Sequence, residues 1–479
     1  MTLKNKILGN LRWMLLAKFS CQAISWISTL LVMRILQPED YGLIAMAAVV
    51  VSLMTMVNEM GLGQAIIQSD NLNQIRIRQC YGLVVLVNSS SYVVLCLLAP
   101  VMAWFFGEDK LSLIVPVIGL QFLIQIFVVI PSALLDKQLR FRERAIYEVG
   151  TSVCGTLATL WMAYSGFGIW SIIFGNLGMV ALYATLINWK FPFPHLPTFR
   201  FSGIGDMARF GLMTVLGRIL WFFYSQADTL LVGRLLGKTI LGFYSVGVQV
   251  ATLPLVKISG IFNQLAMAGF SQIKNDVQRL RDSVLLVARV ASFLSVPIFW
   301  GIAAIAADFV GLFLGSNWEP AILPLQCIAI MLPIRVLSIA LSQVVNAVGK
   351  PELNVINLAV ACVVMPVSFV ISIRLWGLPG ICYAWVLIYP MWFLYALKQG
   401  LPTVGLRLRE YCSNVAVPHL FGALMLGLVI GARNFLPFDG WLRLCTLVAI
   451  GAATYSSLCW IFAHEYLSNV IAAFRKDKN

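Results

Sequence analysis

The sequence predicts an all-α integral membrane protein of about fourteen transmembrane helices: two six-helix lobes related by a parallel pseudo-two-fold repeat, plus two C-terminal helices. Three observations carry this. Of 479 residues, 60% are hydrophobic and only 11% charged, with a mean hydropathy of +0.87, outside the range of a soluble domain. Apolar runs of about 20 residues, the length a helix needs to cross about 30 Å of hydrocarbon, recur along the whole chain. And "TLLVMRILQPEDYG" at 29–42 is written again as "TLLVGRLLGKTILG" at 229–242.

The expected spans are 12–33, 41–66, 80–106, 111–133, 149–165, 168–187, 207–232, 240–266, 285–313, 320–347, 353–374, 377–397, 413–432 and 440–462. The start carries Lys4, Lys6, Arg12 and Lys18 with no small-residue cleavage site, so it is expected to be an uncleaved first helix. Basic residues gather in alternate loops: Arg76 and Arg78, "KQLRFRER" from Lys137, Lys190 and Arg200, Lys274 to Arg281, Lys398 to Arg409, and the tail "FRKDKN". The opposite links ("QPED", "FGEDK", "GSNWEP", "LPFDG") are short and poor in cations. The positive-inside bias therefore places both termini in the cytoplasm of a cell membrane. The formal charge of +14 is absorbed by that bias and by anionic lipid, so no nucleic-acid partner is expected.

Seven residues match at the fixed offset of 200: Thr29, Leu30, Leu31, Val32, Arg34, Leu36 and Gly42; upstream, Lys18 faces Arg218. Six spans separate the copies, so both enter the bilayer in the same direction, as in a parallel repeat. "SGFGIW" at 165–170 and "WGLPGI" at 376–381 are a weaker echo. The organisation expected is an N-terminal lobe at 1–187, a linker at 188–206, a C-terminal lobe at 207–397, and a helix pair with a basic tail at 398–479.

A charge at membrane depth costs at least about 2.5–3.5 kcal/mol, so ionisable residues there are functional candidates by default. Lys18, Gln22, Ser25 and Thr29 share one face of span one, and Arg218, Ser225 and Thr229 repeat the spacing on span seven. Arg335, Ser342 and Asn346, with Gln343 beside them, form a third stripe on span ten; Gln121 and Gln125 lie on span four. Lys18, Gln22, Ser25, Arg218, Ser225, Asp228, Arg335, Gln343 and Asn346 are the candidates for a substrate cavity. Arg34, Arg234, Glu59 and Asp308 are the candidates for gating or coupling; Arg34 and Arg234 end their helices, where lipid headgroups or helix C-termini are competing partners. Arg289 lies near a cytoplasmic end, where snorkelling competes with a cavity role. Cations outnumber acids at depth, which favours an anionic ligand, and the arginine fork suits phosphate oxygens.

Other motifs carry no chemistry. "GRLLGKT" at 233–239 is one residue short of a Walker A loop and follows no strand. Ten cysteines lie scattered without a C-x-x-C pair, and His195, His419 and His464 lack ligand spacing, so no metal or cofactor is expected. "GLVIG" at 427–431 reads as a small-residue helix-packing seam.

"LLVMRILQPEDYGLIAMA" at 30–47, "MGLGQAIIQ" at 60–68 and "SNWEPAILPLQCIAIMLPIR" at 316–335 resemble the polysaccharide exporters of the multidrug/oligosaccharidyl-lipid/polysaccharide superfamily. Within it they are similar to the Wzx-type flippases of the colanic-acid-exporter kind. The resemblance implies a flippase for undecaprenyl-diphosphate-linked oligosaccharide, working by alternating access through a cationic cavity in which Lys18, Arg218 and Arg335 are the matching positions. H+ or Na+ as coupling ion, and a polymerase and other polysaccharide assembly proteins as partners, belong to the same expectation. The competing readings are a cation-coupled drug antiporter of the superfamily, for which acidic cavity groups would be expected, and a polysaccharide polymerase or ligase, for which long external loops would be expected.

Overall fold

The computed structural model describes residues 24–58, 74–138, 140–192, 196–199, 205–255, 270 and 276–462, with backbone only at 205–219. Lys18, Gln22, Glu59 and Lys257 lie outside the described residues, as does the side chain of Arg218.

Among the described residues there are helices and no strand. The helices are α1 (Ile24–Ile35), α2 (Pro38–Asn58), α3 (Gln74–Phe106), α4 (Leu111–Lys137), α5 (Phe141–Tyr164), α6 (Ile169–Lys190) and α7 (Gly205–Thr252). There follow α8 (Val277–Phe309), α9 (Ile322–Ala347), α10 (Pro351–Trp376), α11 (Leu378–Gly400), α12 (Leu408–Arg433) and α13 (Trp441–Phe462). Each of the fourteen expected spans falls wholly or partly on one of them, spans seven and eight sharing α7 across a break at Gly237. Eleven described helical segments are long and apolar enough to cross a membrane. Trp104, Trp161, Leu387 and Trp460 stand more than half exposed on these helices, a surface that only lipid makes inexpensive.

The chain divides into two compact units, Met1–Gly242 and Phe243–Asn479. The first part of α7 belongs with the first unit. In that unit the segment after α6 is tied to the start of α3: Arg78 Nε donates to the Leu196 carbonyl at 3.0 Å, and the Thr198 N–H donates to the Arg78 carbonyl at 3.0 Å.

The second unit is built around buried aromatics. Trp318 is 1% exposed, and Trp385 Nε1 donates to the Tyr244 hydroxyl at 2.8 Å, which satisfies two polar groups that burial would otherwise strand. Phe421, Met425, Val429, Leu447 and Tyr455 pack α12 and α13 against Val296 and Ala304 of α8. The expected "GLVIG" seam does not form among the described residues: a side chain at Gly427 or Gly431 would meet nothing within 4 Å. The close contact is at Gly422, where a β-carbon would run into Val296 and Trp300. The buried positions 421, 422, 425 and 429 set the packed face of α12, and 427 and 431 lie off it.

The weaker echo of the repeat has a backbone counterpart. Gly168 caps the start of α6 at φ 53°, ψ −133°, and Gly377 caps the start of α11 at φ 62°, ψ −134°. Both conformations are reserved for glycine, so the two lobes turn the chain in the same way at matching places.

Candidate functional site

The two copies of the repeated segment meet. A β-carbon on Gly42 would fall less than 3.0 Å from the Lys238 carbonyl oxygen, and one on Gly242 would fall equally close to the Pro38 carbonyl oxygen. Pro38 and Lys238 are themselves one repeat apart, so the contact is reciprocal, as a local two-fold axis requires. On that axis the Thr239 hydroxyl and Glu39 carboxylate, again 200 residues apart, lie 3.4 Å from each other. Only glycine lets helix backbone approach a carbonyl so closely.

Side chains fix each copy. In the first, Pro38 opens α2 with Glu39 and Asp40 in the first turn, where the helix dipole favours acids, and the Gln37 N–H donates to Asp40 Oδ2 at 3.4 Å. In the second, Gly237 turns at φ 82°, ψ 177°. Lys238 Nζ pairs with Glu108 at 2.9 Å, and Arg234 Nη1 donates to the Phe105 carbonyl at 2.6 Å at the end of α3. Arg234 thus bonds a carbonyl in the last turn of α3. Arg34, its counterpart, is exposed at the end of α1.

Deeper in the same unit, α2, α4 and α7 surround a cavity of about 350 Å³. Ser52, Thr55, Gln121, Trp221, Ser225 and Gln226 give it polar groups; Ala48, Val51, Met56 and Phe222 complete the wall. No ionisable side chain lines it among the described residues. Ser52, Thr55 and Ser225 donate their hydroxyls to their own helices at 2.8, 2.9 and 3.0 Å, leaving oxygen lone pairs free to accept.

Of the sequence candidates, Ser225 lines this cavity, while Ser25 is exposed on α1 and lends its carbonyl to the Thr29 hydroxyl at 2.7 Å. Asp228 is buried; its Oδ1 accepts from the Thr229 N–H at 2.7 Å and from the Thr229 hydroxyl at 3.3 Å. Ser28, one repeat earlier, is buried to the same extent.

Arg335 and Gln343 are half-buried on α9 of the second unit. Asn346 stands in the last turn of α9, where its Oδ1 accepts from Asn354 Nδ2 on α10 at 2.8 Å. Asp308 is 3% exposed at its side chain and lies between two arginines, 3.1 Å from Arg433 Nε and 2.6 Å from Arg443 Nε. The approach is by charge rather than by aligned hydrogen bonds, and it ties the ends of α8, α12 and α13 together. Arg289 Nε donates to Asn414 Oδ1 on α12 at 2.9 Å. The sequence reading passed over Trp221, Gln226, Ser52 and Thr55. Ser52 and Thr55 sit at i, i+3 in an apolar helix, a spacing that marks a shared face.

The comparisons with known proteins agree with this architecture. A family model described as "Polysaccharide biosynthesis protein" matches residues 31–323. An uncharacterized membrane protein in the cps region of Klebsiella pneumoniae is 24% identical over 99% of each chain. The teichuronic acid biosynthesis protein TuaB of Bacillus subtilis is 25% identical over 85% of this chain and 84% of its own. Among solved structures, the lipid II flippase MurJ in an inward closed conformation superposes with a TM-score of 0.75 at 14% identity, over 95% of this chain and 99% of that one, a likeness of fold. Because the family model spans well over half of the sequence, through both copies of the repeat, this chain belongs to the polysaccharide biosynthesis protein family.

Proposed function

We propose that the protein is a flippase that carries an undecaprenyl-diphosphate-linked oligosaccharide from the inner to the outer leaflet of the cytoplasmic membrane, with both termini in the cytoplasm. The observation that carries the reading is the reciprocal seating of Gly42 against the Lys238 carbonyl and of Gly242 against the Pro38 carbonyl. It forms a two-fold closure on one side of the bilayer, while a polar cavity lies deeper between α2, α4 and α7. A site closed to one side and polar at depth is what alternating access requires.

The physical task fits. Neither a diphosphate nor a hydrophilic glycan crosses about 30 Å of hydrocarbon unaided. A polar passage removes both penalties while the prenyl tail stays in lipid, and no bond is made or broken. Lys18, Arg218 and Arg335 are the cations proposed for the diphosphate, and H+ or Na+ is the proposed coupling ion. The names of relatives support the reading: one is a teichuronic acid biosynthesis protein, and a chain of the same fold is a lipid II flippase.

The test is extraction of polyprenyl-linked oligosaccharides from cells with and without the protein, with a measurement of the membrane face that exposes them. Complete units should accumulate on the cytoplasmic face in its absence. Units exposed outside but left unpolymerised would overturn the reading in favour of a polymerase or ligase.

A further inference from the structure

Six polar side chains without a charge among them converge between membrane-spanning helices. Gln121 is ten residues into α4, about 15 Å from its start at 1.5 Å per residue, half of the hydrocarbon thickness. Neither the Gln121 nor the Gln226 carboxamide, nor the indole N–H of Trp221, makes a hydrogen bond within the described residues. Polar groups at that depth without a partner are strongly disfavoured unless something polar fills the space.

The chemistry of the lining narrows the occupant. Among the described residues the wall has no ionisable group, so those residues offer nothing to a phosphate or a coupling cation. An acyl chain would leave both carboxamides unsatisfied. What the wall offers is donors and acceptors from Gln121 and Gln226, acceptor lone pairs from Ser52, Thr55 and Ser225, and the indole of Trp221, 49% exposed. A pyranose ring matches this set, because it presents hydroxyls around its edge and an apolar C–H face that packs on an aromatic plane. The volume of about 350 Å³ is at the small end for ligand pockets, so it suits a small saccharide rather than a whole repeat unit.

We propose that the cavity between α2, α4 and α7 is a glycan subsite that seats a neutral sugar of the transported lipid, with Trp221 against its C–H face and Gln121 and Gln226 on its hydroxyls. The proposal rests on the flippase reading and adds a division of labour. Cations elsewhere hold the diphosphate, and this neutral pocket senses whether the carrier is loaded.

The experiment compares two probes on the full chain in lipid nanodiscs: bare undecaprenyl diphosphate, and the oligosaccharide-bearing lipid extracted from cells lacking the protein. Gln121→Leu and Gln226→Leu should each weaken the loaded lipid about threefold to tenfold, the worth of one hydrogen bond, and leave the bare carrier within about twofold. Trp221→Ala should weaken the loaded lipid about tenfold, and Trp221→Tyr, which keeps a ring, should recover most of that. If a leucine variant does not fold, the Trp221 pair decides alone. Equal loss for both probes, or no loss for the loaded one, overturns the subsite while the flippase reading stands. A wild-type chain that binds neither probe overturns the flippase reading itself.

Discussion

The turn between α1 and α2 and the turn at Gly237 within α7 lie in the two copies of one repeated segment, yet they hold their shape by different means. The first uses Pro38 with Glu39 and Asp40 in the opening turn of α2. The second uses Gly237 in a conformation open to glycine alone, with Lys238 anchored on Glu108 and Arg234 on the Phe105 carbonyl. What stays identical is the glycine at position 42 or 242, where one backbone meets the carbonyl of the other. At that glycine the close approach admits no side chain, whereas within the turns themselves the residues differ, acids on one copy and a cation on the other.

The strongest way to break this comparison is to lock the pair. Glu39→Cys with Thr239→Cys in a cysteine-depleted chain, bridged by a short thiol reagent, should abolish export and recover it on reduction. Full export with quantitative bridging would mean that the two turns never separate. Next in size, Gly42→Ala and Gly242→Ala should each lower stability by about 1–3 kcal/mol, seen in thermal unfolding in detergent, and by equal amounts because the contact is reciprocal. Unequal losses would show that one carbonyl yields more readily than its counterpart. Gly237→Ala should cost about 1 kcal/mol or a little more from backbone strain, whereas Gln37→Ala, its counterpart in the repeat, should stay within about 0.5 kcal/mol. Smallest is Lys238→Ala, about 0.5 kcal/mol, since its pair with Glu108 is partly open to solvent; the loss should shrink with added salt.

The legible part of the fold was the part written locally. Apolar runs locate spans because a helix in hydrocarbon must satisfy its own backbone and present apolar side chains, which leaves a continuous mark in sequence. The repeat was legible for the same reason, as "TLLV", Arg and Gly in fixed register. The site was legible only in fragments. Ser225 was found through its place on a polar stripe, but its neighbours Trp221 and Gln226 were not, because an aromatic and an amide in a membrane helix carry no mark of which way they face. The arginines that flank Asp308, Arg433 and Arg443, lie more than a hundred residues on, a pairing that no local pattern marks.

By itself, then, the sequence determined a many-spanning helical membrane protein with a segment written twice at an offset of 200 and its cations biased to one set of loops. The tertiary structure alone decided that Gly42 seats on Lys238 and Gly242 on Pro38, and that three helices leave between them a cavity whose described lining is polar and without charge. The division has a physical cause. Span and register follow from forces acting within a few turns of helix, whereas pairing between residues 200 positions apart depends on the rotation and closeness of packed helices, which side-chain volumes fix only when the whole bundle is assembled.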